Sequence, residues 1–176
     1  MMYHLATLIA FALPGLDQQP SDWPPLSQAP WLSTSLAEFW SKRWHQSFRR
    51  SFVQLGGKPL RFLFGRIGGI IGVFLLSGIL HDWCIWGMGR GTDFPEIGGF
   101  FLLNGVGVIL EQVWEQATGR KVEGWLGWLW TMCWMTSTGN LLVDALLRRG
   151  LAGGVLVPAT MRPGKVLLQV VSKCIR

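Results

Sequence analysis

The chain has 176 residues, of which 49% are hydrophobic and only 15% charged, with 11 Trp and 23 Gly. The charged share is well below the roughly one quarter usual in soluble domains, which excludes an ordinary soluble domain and places the chain in the membrane class. The net charge of +6 is unevenly spread: Lys42, Arg43, Arg49, Arg50, Lys58, Arg61 and Arg66 cluster, and no Asp or Glu lies between Glu38 and Asp82.

In chain order, residues 1–16 form a short hydrophobic segment without the charged start of a signal peptide. It reads as the remnant of a transmembrane helix. Asp17–Pro30 carries Pro20, Pro24, Pro25 and Pro30, which excludes a regular helix. Ser35 then reads as an N-cap with Glu38 at the third position of a capping box. Leu36, Phe39, Trp40, Trp44, Phe48 and Phe52 recur at helical spacing, opposite Lys42, His45, Arg49 and Arg50. The expectation is one amphipathic helix along the membrane interface, ended by Gly56, Gly57 and Pro59.

Three apolar spans follow, at about Ile67–Met88, Ile97–Trp114 and Trp125–Leu147. The first is about 33 Å long at ~1.5 Å per residue, enough to cross a hydrocarbon core. Within it, Gly68 and Gly72 form a GxxxG pair that would let a neighbouring helix approach closely. The fold class is therefore all-α and polytopic, with three to four transmembrane helices and one interfacial helix. The basic segment argues that its side is cytoplasmic, and Arg120–Lys121 falls on the same side; Arg148 and Arg149 fall opposite. Residues 17–150 form the main portion and 151–176 a tail.

His81 and Asp82 interrupt the first span together, and ionisable residues at such depth point to a functional site. Asp82 needs a partner elsewhere in the fold, since adjacent helical residues diverge by about 100°. Asn140 and Asp144 share a face of the third span, and Asn104, Glu111 and Glu115 lie on the second; these could line a polar chamber or act as interhelical contacts. Cys84, Cys133 and Cys174 match no metal-ligand spacing and read as free thiols in packing positions. No phosphate loop, CxxC pair or HExxH motif is present, so no metal site is expected. Nothing suggests nucleic-acid binding.

Two stretches then act together. Ser35–Arg50, "SLAEFWSKRWHQSFRR", resembles the FW-x-x-RWH segment of the wax-synthase-like branch of the membrane-bound O-acyltransferases, and Leu75–Trp83, "LLSGILHDW", resembles that family's later histidine helix, in the same order. The resemblance implies helices around a buried reaction chamber where an acyl-CoA meets a lipophilic alcohol. It implies His81 as the catalytic residue. Phe39, Trp40, Trp44 and His45 resemble the FYxDWWN-like segment of related sterol and diacylglycerol acyltransferases, with His45 in place of the asparagine. His45 is thus a second catalytic candidate, and Trp44, Arg43 and Asn140 are candidates for binding substrate. No tightly bound cofactor is implied; acyl-CoA, above all acetyl-CoA, is the co-substrate. The style of the first motif resembles fungal members that acetylate terpenoids and other secondary metabolites. Long-chain wax ester synthesis and a non-catalytic truncated membrane protein are the alternatives. The implied partners are the two substrates and membrane lipids, with a homo-oligomer as an option, in the endoplasmic reticulum. Family members are longer, so the chain reads as a C-terminal portion.

Overall fold

A computed structural model of the chain describes residues 26–150. The expectations for residues 1–25 and 151–176, Cys174 included, lie outside the described residues. All regular structure among the described residues is helical. A single 3-10 turn, Pro30–Leu32, precedes α1, which starts as Leu36–Glu38 and continues as a π turn, Phe39–Arg43. α2 starts as Arg49–Phe52 and continues as a second π turn, Val53–Gly57. Three long helices follow: α3 (Lys58–Gly87), α4 (Phe94–Thr118) and α5 (Gly124–Arg148).

The expected single amphipathic helix is broken in two. Ser35 does cap α1, its hydroxyl accepting from the Glu38 N–H at 3.0 Å. The Glu38 carboxylate, however, turns to the Thr34 N–H and hydroxyl, and those bonds, that from the Thr34 backbone foremost, lower its pKa. The break comes at Trp44, which is extended (φ −76°, ψ 159°) after a wide π turn in which its N–H reaches the Phe39 carbonyl. The Gln46 side-chain amide donates to the carbonyls of Trp40 and Trp44, satisfying groups that the lost helix would have used.

A second break replaces the expected end at Gly56–Pro59. Helix continues through both glycines, because the π turn ends where Pro59, lacking an N–H, enters the first turn of α3 and needs no acceptor. The chain instead reverses at Phe64–Gly65, where Gly65 adopts φ +66°, a conformation that favours glycine. The limb ending there folds back on residues 66–87. Gly68 lies against the Leu60 carbonyl and Gly72 against the Gly56 carbonyl, so close that a methyl group on either would collide with backbone. The close approach expected of Gly68 and Gly72 is therefore made with the chain's own preceding limb. Gly72→Leu should push the limbs apart, at the ~1–3 kcal/mol typical of overpacking or more. A melting temperature measured in detergent should fall for Gly72→Leu and hold for Gly139→Leu, where an added side chain meets open space.

α4 runs antiparallel to residues 66–87: Gly78 lies against Gly98, and Phe74 against Gly105. α5 runs antiparallel to α4, with Trp130 bonded to Glu111 and Arg148 paired with Glu96. One end of the bundle thus gathers the hairpin tip, with Lys58, Arg61 and Arg66, together with Arg120 and Lys121. The other gathers Arg90, Arg148 and Arg149. The core joins Leu36, Phe74, Ile97, Phe100, Phe101 and Val108, with Trp40 and Trp134 packed against it.

Two helical stretches are long and apolar enough to cross a membrane: Phe94–Thr118, and Arg49–Gly87, in which the limb after the Gly65 reversal is residues 66–87. The expected third span does form α5, but only those two pass on composition; α5 carries Thr131, Thr136, Ser137, Thr138, Asn140 and Asp144. Large apolar side chains stand exposed around the bundle, Phe62 at 90% and Trp125 at 73%. Cys84 and Cys133 are exposed free thiols, not the packing residues expected.

Candidate active site

Asp82 finds its partner in the backbone. Its carboxylate is buried and accepts from the Asp93 N–H at 2.6 Å, tying the end of α3 to the start of α4. Arg149 closes the same loop from α5, donating to the carbonyls of Arg90 and Thr92 and to the Asp93 carboxylate at 3.1 Å. His81, one residue earlier, points another way. Its Nδ1 lies 2.7 Å from the Ser77 carbonyl, and its ring packs on Phe101 at a centroid distance of 4.4 Å. A carbonyl can only accept, so Nδ1 carries the proton in neutral His81 and Nε2 keeps a free lone pair. Among the described residues Nε2 has no hydrogen-bond partner.

His81 lines a cavity of about 70 Å³ with Ser77, Trp40, Trp44, His45 and Arg49, closed by Phe52, Val73, Phe74 and Phe101. The break after α1 brings His45 there, since a continuous helix would have carried that residue onward along the surface. Trp44 stacks on Phe39 at 5.5 Å and tilts against His45 at 5.5 Å; Trp40 stands edge-on to Phe74. Within the Trp44–Phe48 turn, Trp44 and His45 line the cavity, while Ser47 and Phe48 are exposed.

Two buried polar residues of α4 hold α1 over the cavity. Asn104, fully buried, accepts from the Trp40 indole at 3.2 Å and donates to the Phe100 carbonyl and, at 3.5 Å, to Thr138 on α5. Glu111 accepts from the Leu36 and Ala37 N–H groups, at 2.6 and 2.9 Å, and from the Trp130 indole at 3.0 Å. Its carboxyl supplies the acceptors that the first turn of α1 lacks within itself.

The structure thus brings together His81, His45 and Trp44. Arg43 and Asn140 lie elsewhere. The Arg43 guanidinium pairs with Glu38 at 2.8 Å and donates to the Gln28 and Ala29 carbonyls, fastening the proline-rich segment. Asn140 is exposed on α5. Asn104 and Glu111, weighed from sequence as chamber-lining or interhelical residues, are interhelical hydrogen-bond centres. Ser77, Arg49 and Phe101 carried no signal in the sequence that would have placed them at the site. Among the described residues, no group of three or more His, Cys, Asp or Glu is arranged to hold a metal ion.

Burial first, and the charge that His81 can carry second, lower the His45 pKa below the ordinary 6.5. As pH falls from 6.5 towards that lower value, the unfolded chain binds a proton that the folded chain does not. Stability should therefore decline in that window, and His45→Gln should flatten the decline. Thermal melts at pH 7.5 and 5.5 measure the difference; equal slopes for the two proteins would remove the buried neutral imidazole from this account.

Residues 23–103, which contain α1, the hairpin and His81, match the model of the membrane bound O-acyl transferase family. This stretch belongs to that family. Among curated proteins, the chain is 29% identical over 126 residues to a long-chain-alcohol O-fatty-acyltransferase of Simmondsia chinensis, covering 67% of this chain and 34% of that protein. It is 28% identical over 165 residues to the acetyltransferase spyB of Aspergillus fumigatus, covering 77% and 28%. To the acetyltransferase eriL of Hericium erinaceus it is 28% identical over 172 residues, covering 89% and 44%. The chain therefore spans between about a quarter and a half of the length of these relatives. No solved structure matches. Within the family segment, the two histidines that the sequence motifs single out are the two that share the cavity.

Proposed function

We propose that the chain carries the acyl-transfer centre of a membrane-embedded O-acyltransferase, which moves an acetyl group from acetyl-CoA to a hydroxyl of a lipophilic acceptor such as a terpenoid. One observation supports this above the others: His81 offers an unpartnered Nε2 to a cavity that it shares with His45. A hydroxyl is a weak nucleophile until a base takes its proton, and a neutral imidazole suits that task near pH 7. His81 Nε2 accepts the hydroxyl proton while the oxygen attacks the thioester carbonyl. The C–S bond then breaks, and the departing sulfur takes the proton from His81. His45 orients the acceptor or donates to the developing oxyanion. Trp44 forms an apolar wall for the acceptor.

Two of the three relatives are named acetyltransferases, which supports a short acyl group. The alternative, long-chain wax ester synthesis, draws support from the plant relative, a long-chain-alcohol O-fatty-acyltransferase. Membranes containing the chain, given labelled acetyl-CoA or a labelled long-chain acyl-CoA with a panel of lipophilic alcohols, distinguish the two. Acetyl ester as the main product supports the proposal, and long-chain ester alone would replace it with the alternative.

Charge supports an orientation in the endoplasmic reticulum membrane. At one end, Arg148 pairs with Glu96 and Asp144, and Arg149 with Asp93, while Arg90 has no acidic partner among the described residues. Lys58, Arg61, Arg66, Arg120 and Lys121 have no acidic partner among the described residues. The end that gathers more Lys and Arg, these five against Arg90, Arg148 and Arg149, is the one we place in the cytosol.

A further inference from the structure

A second concavity lies outside the His81 site. It is a groove of about 1180 Å³ between α4 and α5, at the end of the bundle that holds Arg120 and Lys121. Leu110, Val113, Trp114 and Leu126, all exposed, give it apolar walls, and Arg120 and Lys121 stand at its rim beside Glu123. None of its lining residues also lines the His81 cavity. A ligand held there is therefore not placed to react at His81.

We infer that this groove binds a bilayer glycerophospholipid, with an acyl chain along the α4 and α5 walls and its phosphate at Arg120 and Lys121. The argument is one of complementary layers. Apolar walls left to water would forfeit hydrophobic burial, while a fatty chain fills them. Two adjacent cations just past the end of α4 lie where a headgroup phosphate would sit, and basic recesses between membrane helices are a recurrent form of headgroup site. Glu123 at the same rim complements the amine of a zwitterionic headgroup. The inference rests on the membrane setting proposed above but not on catalysis.

The test uses the full chain purified in mild detergent, with co-purified phospholipid quantified by mass spectrometry. Wild type should retain phospholipid. The double variant Arg120→Gln, Lys121→Gln and the groove-filling Ala117→Trp should each retain at least tenfold less, with unchanged circular dichroism to show that they fold. Equal retention by all three proteins overturns the inference. A photo-crosslinking residue in place of Leu126 identifies the occupant directly. Crosslinks to phospholipid support the site; crosslinks to residues 1–25 or 151–176, or to a second copy of the chain, overturn it. Displacement of the lipid by a long-chain acyl-CoA at micromolar concentration would also overturn it, by making the groove a substrate site. Acyl transfer need not be measured, so a failed catalytic proposal and a failed lipid site remain distinguishable.

Discussion

His81→Ala should reduce acyl transfer by about two to four orders of magnitude, the range that a positioned general base contributes. The melting temperature should barely move. His81 makes one side-chain hydrogen bond, to the Ser77 carbonyl, and that carbonyl also belongs to the helix ladder. Its ring packs on Phe101, so the alanine loses contact area but leaves no buried charge. His81→Gln separates the roles further, because an amide can hydrogen-bond but cannot accept a proton near neutral pH. Both variants should therefore be similarly inactive. Acyl transfer in membranes, normalised to protein level, measures the effect. Wild-type turnover by either variant would dismiss His81 as the base.

Glu111→Ala should be the most destabilising single change at the site, although Glu111 does not line the His81 cavity. The alanine would strand the Leu36 and Ala37 N–H groups and the Trp130 indole, three donors that now share one carboxyl. Leaving a buried donor unsatisfied costs ~1–3 kcal/mol, and of the three residues only Leu36 is fully buried while Ala37 is exposed, so a loss of about 2 kcal/mol is expected. α1 would then lose its anchor to α4, and Trp40, Trp44 and His45 would lose their position over His81. Glu111→Gln keeps one acceptor oxygen and should recover part of the loss. Thermal melts in detergent give the stability order, and fluorescence of the Trp40–Trp44 pair should report the loosened segment. A melting temperature for Glu111→Ala equal to that of wild type would show that the carboxyl does not anchor α1.

These two residues also show what could be read in the sequence. His81 was legible because an ionisable side chain in an apolar span stands out, and because a second motif lay upstream in the right order. Ser35 as a cap, and Gly68 with Gly72 as a close-approach face, were legible for similar local reasons. The break at Trp44 was not. Trp, His, Gln, Ser and Phe are not helix breakers, and the apolar spacing continues across them to Phe52. The reversal at Gly65 was hidden by a stronger-looking stop at Gly56, Gly57 and Pro59, which the π turn absorbs. The partner of Asp82 is a backbone N–H, which no side-chain pattern announces. Local chemistry was therefore visible, whereas the long-range contacts that choose between local options were not.

The reversal at Gly65 bears on how the protein is made. The limb before it is short and carries Arg49, Arg50, Lys58 and Arg61, so on its own it has little reason to leave water for lipid. The partner that covers its glycine face, residues 66–87, is synthesised only afterwards. Biogenesis of this region must then wait for the second limb to emerge from the ribosome, so that both enter the bilayer together. A substitution at Gly65, far from the histidines, would act on that moment of assembly and appear as lost protein, not as altered chemistry.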